Sequence, residues 1–577
     1  MLATALGAAL LVGCEPAGPN RPVVIGEGSG EVSAAEAAVG DTSAPAMLEV
    51  AAPQRPGQDW PLFLGPRETG IADETELMVD WGEGPPVAWS RELGTGYAAP
   101  SILGNRCLVF HRLGDREILE CLTADAGETL WARERPSNFR DPYGYNNGPR
   151  CTPQIAHGPL LAEGESPYVI TFGATGRLMR TDLASGEASW EVMTNDDYEV
   201  PPHFFGVGCT PVLERTGDRT LVLTLVGGQP NAGIVAFDAA DGSVAWEAVG
   251  RDTWDGVTTR RSRGREGRPY EWSGDEMVVT YSSPIVATIH GQRHLLAVMR
   301  QGLVSVDPAD GRVRWAYWFR SPIHESVTAS RPVVEGDTIL ISAPYDAGCV
   351  RLQVAEDGES VSQLWRTDGT FETHFATAIP HEGHYYGFHG RHEGGAKFTC
   401  IDAATGQVKW TTTGFDDPSS LSRDDRGRYV DGSGQVVAWP FFGRGSAILA
   451  GDKFLLLGER GTLAWARATP KSYDELARFG VPDISYPSWP APVLSRGRVY
   501  LRDEDSLVCL DLSPTPETPL SQRDAGQSQP DDGSLWTAPA TEQSSSPSAE
   551  DIAARMAQAE RASRGLVEER PEMNDAE

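Results

Sequence analysis

Histidine is the side chain that most often binds metal or moves protons near neutral pH. Five of the eleven histidines fall between His374 and His392. His381-x-x-His384 and His389-x-x-His392 have the spacing of ligand pairs. The stretch between them, Tyr385 to Phe388, reads as a strand. At about 3.3 Å per residue the two pairs then lie at its opposite ends, which argues against a single four-histidine site. A smaller metal set of His389, His392 and Glu393, helped by His374, remains as one expectation. Turn histidines with local hydrogen bonds are the favoured one.

Cysteine is the next candidate. After Cys14, seven of the eight cysteines remain, no two adjacent and none in a CxxC pair. Cys107 and Cys121 flank a turn at Leu113–Arg116 and could face each other across a hairpin, where an oxidising compartment would permit a disulfide. Cys121, Cys400 and Cys509 share one position of a repeat, which reads as a small buried apolar residue. No Ser-His-Asp order and no phosphate-cradling glycine loop stands out.

Arginine, histidine and aromatic residues form a third group, scattered through long connections. Arg150 ends the run Arg140-Asp141-Pro142-Tyr143-Gly144-Tyr145-Asn146-Asn147-Gly148-Pro149-Arg150. Others contain Pro202-His203-Phe204-Phe205, His324-Glu325, Glu372-Thr373-His374, Phe442-Gly443-Arg444 and Tyr486-Pro487-Ser488-Trp489. Such residues can act together only if the elements between them bring the connections to one place.

Acidic residues number 81 against 49 basic ones, a net charge of −32. A polyanion is repelled by nucleic-acid phosphates and by anionic lipid, so nucleic acid is not an expected partner. No run of 18 apolar residues spans a membrane. Leu2 to Val12 are apolar and lead into Leu11-Val12-Gly13-Cys14, which resembles a bacterial lipoprotein signal with Cys14 as the lipidated residue, although no Lys or Arg precedes the run. The alternative is an ordinary cleaved signal; either predicts export to the periplasm, outer membrane or cell surface. Residues 1–14 are thus the signal and 15–58 a low-complexity tether. Residues 513–577 form an acidic disordered tail with a short polar helix over Ala549–Leu566. The ordered body is 59–512.

That body repeats. Gly and, four residues on, Trp recur at Gly127/Trp131, Gly186/Trp190, Gly242/Trp246, Gly311/Trp315 and Gly406/Trp410, with a looser copy at Gly358/Trp365. Asp182, Asp238, Asp307 and Asp402 stand four residues before their Gly. Each copy reads as strand, tight turn, strand. Before each lies a small residue, often followed by Pro, then two further strands: Ala99-Pro100, Thr152-Pro153, Thr210-Pro211, Ser283-Pro284, Arg331-Pro332, Ala378-Ile379, Ser446-Ala447 and Ala491-Pro492. Eight units of about 57 residues, each with four short strands, predict an all-β, eight-bladed propeller, with seven blades as the alternative. The last unit stops at Leu512 without its Trp strand, and Val87-Ala88-Trp89 is an orphan strand near the start. Together they close the ring.

The Asp-x-x-x-Gly-x-x-x-Trp repeat resembles the PQQ-like β-propeller repeat of quinoprotein alcohol dehydrogenases and of outer-membrane assembly propeller lipoproteins. The resemblance spans roughly 59–512 and implies that Trp89, Trp131, Trp190, Trp246, Trp315 and Trp410 dock flat between neighbouring blades. A large aromatic at one fixed position per unit fills the wedge between sheets, so the physical reading agrees. In this topology the connections between units share one face. A pocket at the channel mouth lined by Arg150, His203, Glu325, His374, Arg391 and Arg444 is therefore expected, and its cations favour an anionic or polyhydroxylated ligand. The alternative is that the loops merely plug the channel.

In quinoprotein dehydrogenases the resemblance implies PQQ clamped by a Trp and a vicinal disulfide, with Ca²⁺ and a catalytic Asp. Without adjacent cysteines, no cofactor is expected and no catalytic residue is assigned. The chain reads as an exported, lipid-anchored, monomeric binding or assembly platform of the envelope, whose partner is an envelope protein or a small ligand. The alternative is a quinoprotein-like oxidoreductase or a metal-assisted enzyme using the loop-rich face.

Overall fold

Middle strands such as Arg106–Leu113 are buried along nearly their whole length, whereas the fourth strand Thr129–Pro136 buries chiefly Trp131. That gradient is what a sheet sandwiched between two others requires: inner strands see protein on both faces and the outermost sees water. In the computed structural model the described residues are 55–514, except 201–203, 255–256, 261–266, 272–278, 324–325, 416–419, 424–428 and 436–438, together with the strand Val23–Val24. Cys14, the signal, most of the tether and the tail beyond 514 lie outside them.

Eight antiparallel sheets of four propeller strands follow one another around a central channel. Their innermost strands are, in order, Ser101–Leu103, Gln154–Ala156, Val212–Thr216, Ile285–Ile289, Val333–Glu335, Ile379–His381, Ser446–Ala450 and Val493–Ser495. The eighth blade takes its outer strand from the other end of the chain. Val87–Glu92 pairs with Ser506–Asp511, and Trp89 lies opposite Cys509. The ring is closed by hydrogen bonds, as the orphan strand implied, and the blades number eight. The irregular 447–480 unit is a full blade. Arg55, ahead of the expected start of the body, pairs with Asp511 at 2.7 Å.

Every blade carries a bulge next to the same position of its fourth strand. Leu122 faces Thr129 while Cys121 faces Trp131, leaving Leu130 over. The same shift occurs before Trp190, Trp246, Trp315, Trp365 and Trp410. A bulge re-aims the side chain that follows it, and here it turns the indole toward the next blade. Cys121, Cys400 and Cys509 are the third-strand residues opposite a tryptophan, and all are fully buried. Cys107 pairs instead with Leu122. One residue out of register, Cys107 and Cys121 point to opposite faces of their sheet, and both are free thiols, so the hairpin disulfide does not form.

Each indole N–H donates to a carbonyl of the next blade: Trp89 to Ala124, Trp131 to Leu183, Trp190 to Ala239, Trp246 to Pro308, Trp365 to Ala403 and Trp410 to Thr469, at 2.8–3.1 Å. Below every one of these rings but Trp410 lies the turn glycine of that next blade. A Cβ on Gly242, at φ +74°, would sit 2.8 Å from Trp190. Trp315 departs from the expectation. It is buried, but its N–H has no partner. The turn in the fifth blade is one residue tighter, so Gly358 N–H occupies the Ala355 carbonyl at 2.8 Å, and Gln292 rather than an indole covers Gly358.

Residues 59–74 cross the channel beneath the inner strands. Asp59 pairs with Arg496, Trp60 bridges Ile102 in both directions, and the Pro61 carbonyl accepts from Ile155. Arg331 then donates to the carbonyl and carboxylate of Glu68 at 2.9 Å each, and Ile71–Ala72 adds a parallel strand to Ser446–Ala450. The segment forms a floor.

Gly242→Ala combines left-handed backbone strain with a clash against Trp190 and is expected to cost about 3 kcal/mol in denaturant unfolding. Gly114→Ala, at φ +58° with nothing within 4 Å, carries the strain alone. It is expected to cost about 1 kcal/mol.

Candidate functional site

In three blades the residue two before the innermost strand, Thr210, Ser283 or Thr377, joins the blade to its neighbour. Thr210 Oγ1 accepts from Thr152 N–H, Ser283 Oγ from Thr210 N–H, and Thr377 Oγ1 from Arg331 N–H. Each hydroxyl ties its blade to the previous one at the channel wall. The Pro that often follows brings no further donor needing a partner. Two residues before Ala99, Thr152, Ser283, Thr377, Ser446 and Ala491 lie Tyr97, Arg150, Tyr281, Phe375, Arg444 and Trp489, while Gly208 and Ala329 precede Thr210 and Arg331. Six of the eight blades therefore bring a large side chain to this end of the channel.

Between this belt and the floor lies a cavity of about 200 Å³. Phe63, Leu64, Thr69 and Gly70 close it below, while Tyr97, Tyr145, Phe205, Tyr281, Tyr345, Phe375 and Trp489 surround it. The rings touch one another: Tyr97 and Phe375 each stand 4.9 Å from Trp489, and Tyr145 bridges Trp489 and Phe205. Neighbouring aromatics at 4.5–7 Å support each other's orientation, so the wall is rigid and largely apolar.

Of the six mouth residues expected from sequence, Arg150 and His374 line the cavity. Arg444 stands behind it, over Trp489 at 4.9 Å, and Arg391 lies over Tyr345 at 4.4 Å. His203 and Glu325 lie outside the described residues. The charges of the two central arginines are already answered. Arg150 pairs with Asp141 at 2.8 Å and Arg444 with Glu459 at 2.9 Å, both carboxylates at most 1% exposed. Glu459 also accepts from the Trp489 indole and from Arg444 N–H. These two arginines therefore hold the wall in place rather than offering bare cations.

His374 is different. It is 6% exposed, stacks on Phe375 at 3.9 Å, and neither ring nitrogen has a partner. Burial first, then Arg444, Arg391 and His392, hold its pKa well below the usual value, so it is neutral. The Tyr97 hydroxyl is likewise buried and unpartnered.

The proposed metal residues are dispersed. His389 Nδ1 accepts from Glu372 N–H at 2.9 Å, His392 contacts Arg391, and Glu393 pairs with Arg460. His384 and His389 do mark opposite ends of one strand. Among the described residues, no three His, Cys, Asp or Glu side chains group as ligands. A quinone clamp is not matched either: no described cysteine and no described carboxylate lines the cavity.

Glu504 was not singled out in the sequence and carries no motif. Burial, followed by its acidic neighbours Asp505 and Asp503 against Asn146 and Arg150, pushes its pKa from 4.5 up to about 7. A carboxyl raised in the folded state favours folding below its unfolded pKa, and that contribution is lost as pH rises through 7. Glu504→Gln is expected to gain about 1–2 kcal/mol at pH 8, after discounting for partial solvent screening. It should gain almost nothing at pH 4.5, as urea unfolding at the two pH values will read.

Residues 115–412 match the family model described as outer membrane protein assembly factor BamB. Among solved structures, the chain is similar to BamB from Moraxella catarrhalis at 12% identity and TM-score 0.43, covering 74% of this chain and 99% of that one. It is also similar to quinohemoprotein alcohol dehydrogenase from Comamonas testosteroni at 12% identity and TM-score 0.48, covering 83% of this chain and 82% of that one. No curated protein matches it.

Proposed function

Since the chain belongs to the family of the outer membrane protein assembly factor BamB, whose model spans more than half of it, we propose that it is a binding and assembly platform of the bacterial envelope. On this reading it is exported and held to the membrane by a lipid on Cys14, with 15–58 as its tether. It works as a monomer and without PQQ or Ca²⁺. Its loop-rich end meets the partner, an envelope protein or a small polyhydroxylated or anionic ligand.

One observation carries the reading: connections from around the ring converge at one end, over a largely aromatic wall that presents no carboxylate and no metal set among the described residues. Recognition sites are built this way, from loops on a stiff scaffold. Catalytic sites need a nucleophile held against its base, and the His374 imidazole in this wall has no such partner. The oxidoreductase alternative has no corresponding observation in its favour.

Phe204 is 39% exposed on the loop-rich end and Leu364 is 48% exposed on an outer strand. With a photo-cross-linking amino acid at either position in cells, adducts to a discrete envelope protein are expected from 204 and not from 364. Equal labelling, or labelling from 364 alone, rejects the loop-rich end as the docking face.

A further inference from the structure

The cavity lining constrains what can fill it. Its only charged side chain among the described residues is Arg150, and that guanidinium is committed to Asp141, Gly148 and Asn146. An anion entering would lose its hydration and meet no free counter-charge, which is unfavourable. A wholly apolar guest fits no better, because the two His374 nitrogens and the Tyr97 hydroxyl would stay buried without partners. A neutral imidazole offers one donor and one acceptor, and a phenol offers both. The group that answers all three is the hydroxyl, which gives and receives through one atom.

The walls set the rest of the guest. Rings of Tyr97 and Phe375 each lie tilted against Trp489, with centroids 4.9 Å from it. They present apolar faces to a guest that must itself have an apolar face beside its hydroxyls. Pyranose rings have this character, with C–H bonds on one side and hydroxyls at the edge. The small volume of about 200 Å³ and the closed floor favour a single ring over a chain threading through.

We infer that the channel cavity binds a single uncharged sugar ring, free or at the end of a glycan, with His374 and Tyr97 bonding its hydroxyls and the aromatic wall receiving its C–H face. The inference rests on the platform reading, narrows its ligand to the neutral polyhydroxylated class, and sets aside the anionic one. His374 is the residue that separates the classes, since a site for an anion would keep it protonated or pair it.

Ligand-observed NMR on the intact protein tests this with methyl glycosides of glucose, galactose and mannose, with glucuronate as the anionic probe and p-cresol as the aromatic one. At least one neutral glycoside is expected to bind. His374→Phe keeps a flat ring without nitrogens and Tyr97→Phe removes only the hydroxyl; each is expected to weaken binding by about tenfold or more. If His374→Phe fails to fold, Tyr97→Phe carries the comparison. A neutral trisaccharide ending in the same ring that binds more tightly identifies a glycan end, and equal binding identifies the free sugar. Unchanged affinity in the folded variants overturns the assignment to this cavity. Binding of glucuronate or p-cresol alone, or of no probe, overturns the sugar class. None of these results bears on the Phe204 cross-link, which tests the platform reading by itself.

Discussion

One contact recurs around the ring and the rest of the architecture depends on it: an indole stacked on the turn glycine of the next blade, its N–H given to a carbonyl three residues before that glycine. Gly127, Gly186, Gly242, Gly311 and Gly406 all sit at φ +69° to +79° beneath a tryptophan of the preceding blade. The contact needs three things at once: a bulge that aims the indole, a left-handed turn without Cβ, and a carbonyl left free by that turn. Where the third is missing, at Ala355, Trp315 loses its hydrogen bond although it stays buried. The seventh blade solves the same wedge differently. Its outer strand has Ala477 at the tryptophan position and Phe479 two residues on, pressed over Gly84, the glycine just before the closing strand.

Closure and channel are consequently linked. Val87–Glu92 completes the eighth blade, and the residues just before it, 59–74, form the floor. The same stretch of chain both shuts the ring and turns an open channel into a cup. Arg331 shows how tightly the two are joined: it is 2% exposed, donates to Pro284 in the neighbouring blade, and holds Glu68 of the floor. A ligand entering from the loop-rich end meets a wall on every side but its own.

The repeat made the ring legible before any coordinates. Spacing of Gly and Trp located the blades, and an orphan Trp89 opposite a last unit without tryptophan located the closure. Thr210 and Ser283 each start a unit, although their role as acceptors for the preceding blade needed geometry. Counting two residues back from the unit starts, with Thr377 rather than Ala378 as the sixth, would have found Tyr97, Tyr281, Phe375 and Trp489, a periodic signal that charge-bearing residues obscured. Ion pairing was not legible. Nothing in the neighbourhood of Glu459 in the sequence announces that it will neutralise Arg444, fifteen residues and a hairpin away, and nothing marks Glu504 for burial. Long-range pairing depends on how loops fold over the mouth, and loop conformation carries no period.

That gap bears directly on the ligand. Counting arginines in an acidic chain points to an anion, because formal charge is all a sequence displays. In the folded mouth, Arg150 and Arg444 are each joined to a carboxylate hidden from water, and each lies over aromatic rings: Tyr97 and Phe205 for the first, Phe375 and Trp489 for the second. A guanidinium used this way is a planar strut. It holds ring faces at fixed angles while its field is cancelled nearby, and the buried pair resists removal because stripping one partner strands the other. Selectivity at such a mouth comes from shape and from the few neutral donors and acceptors left without partners, of which His374 is the most enclosed.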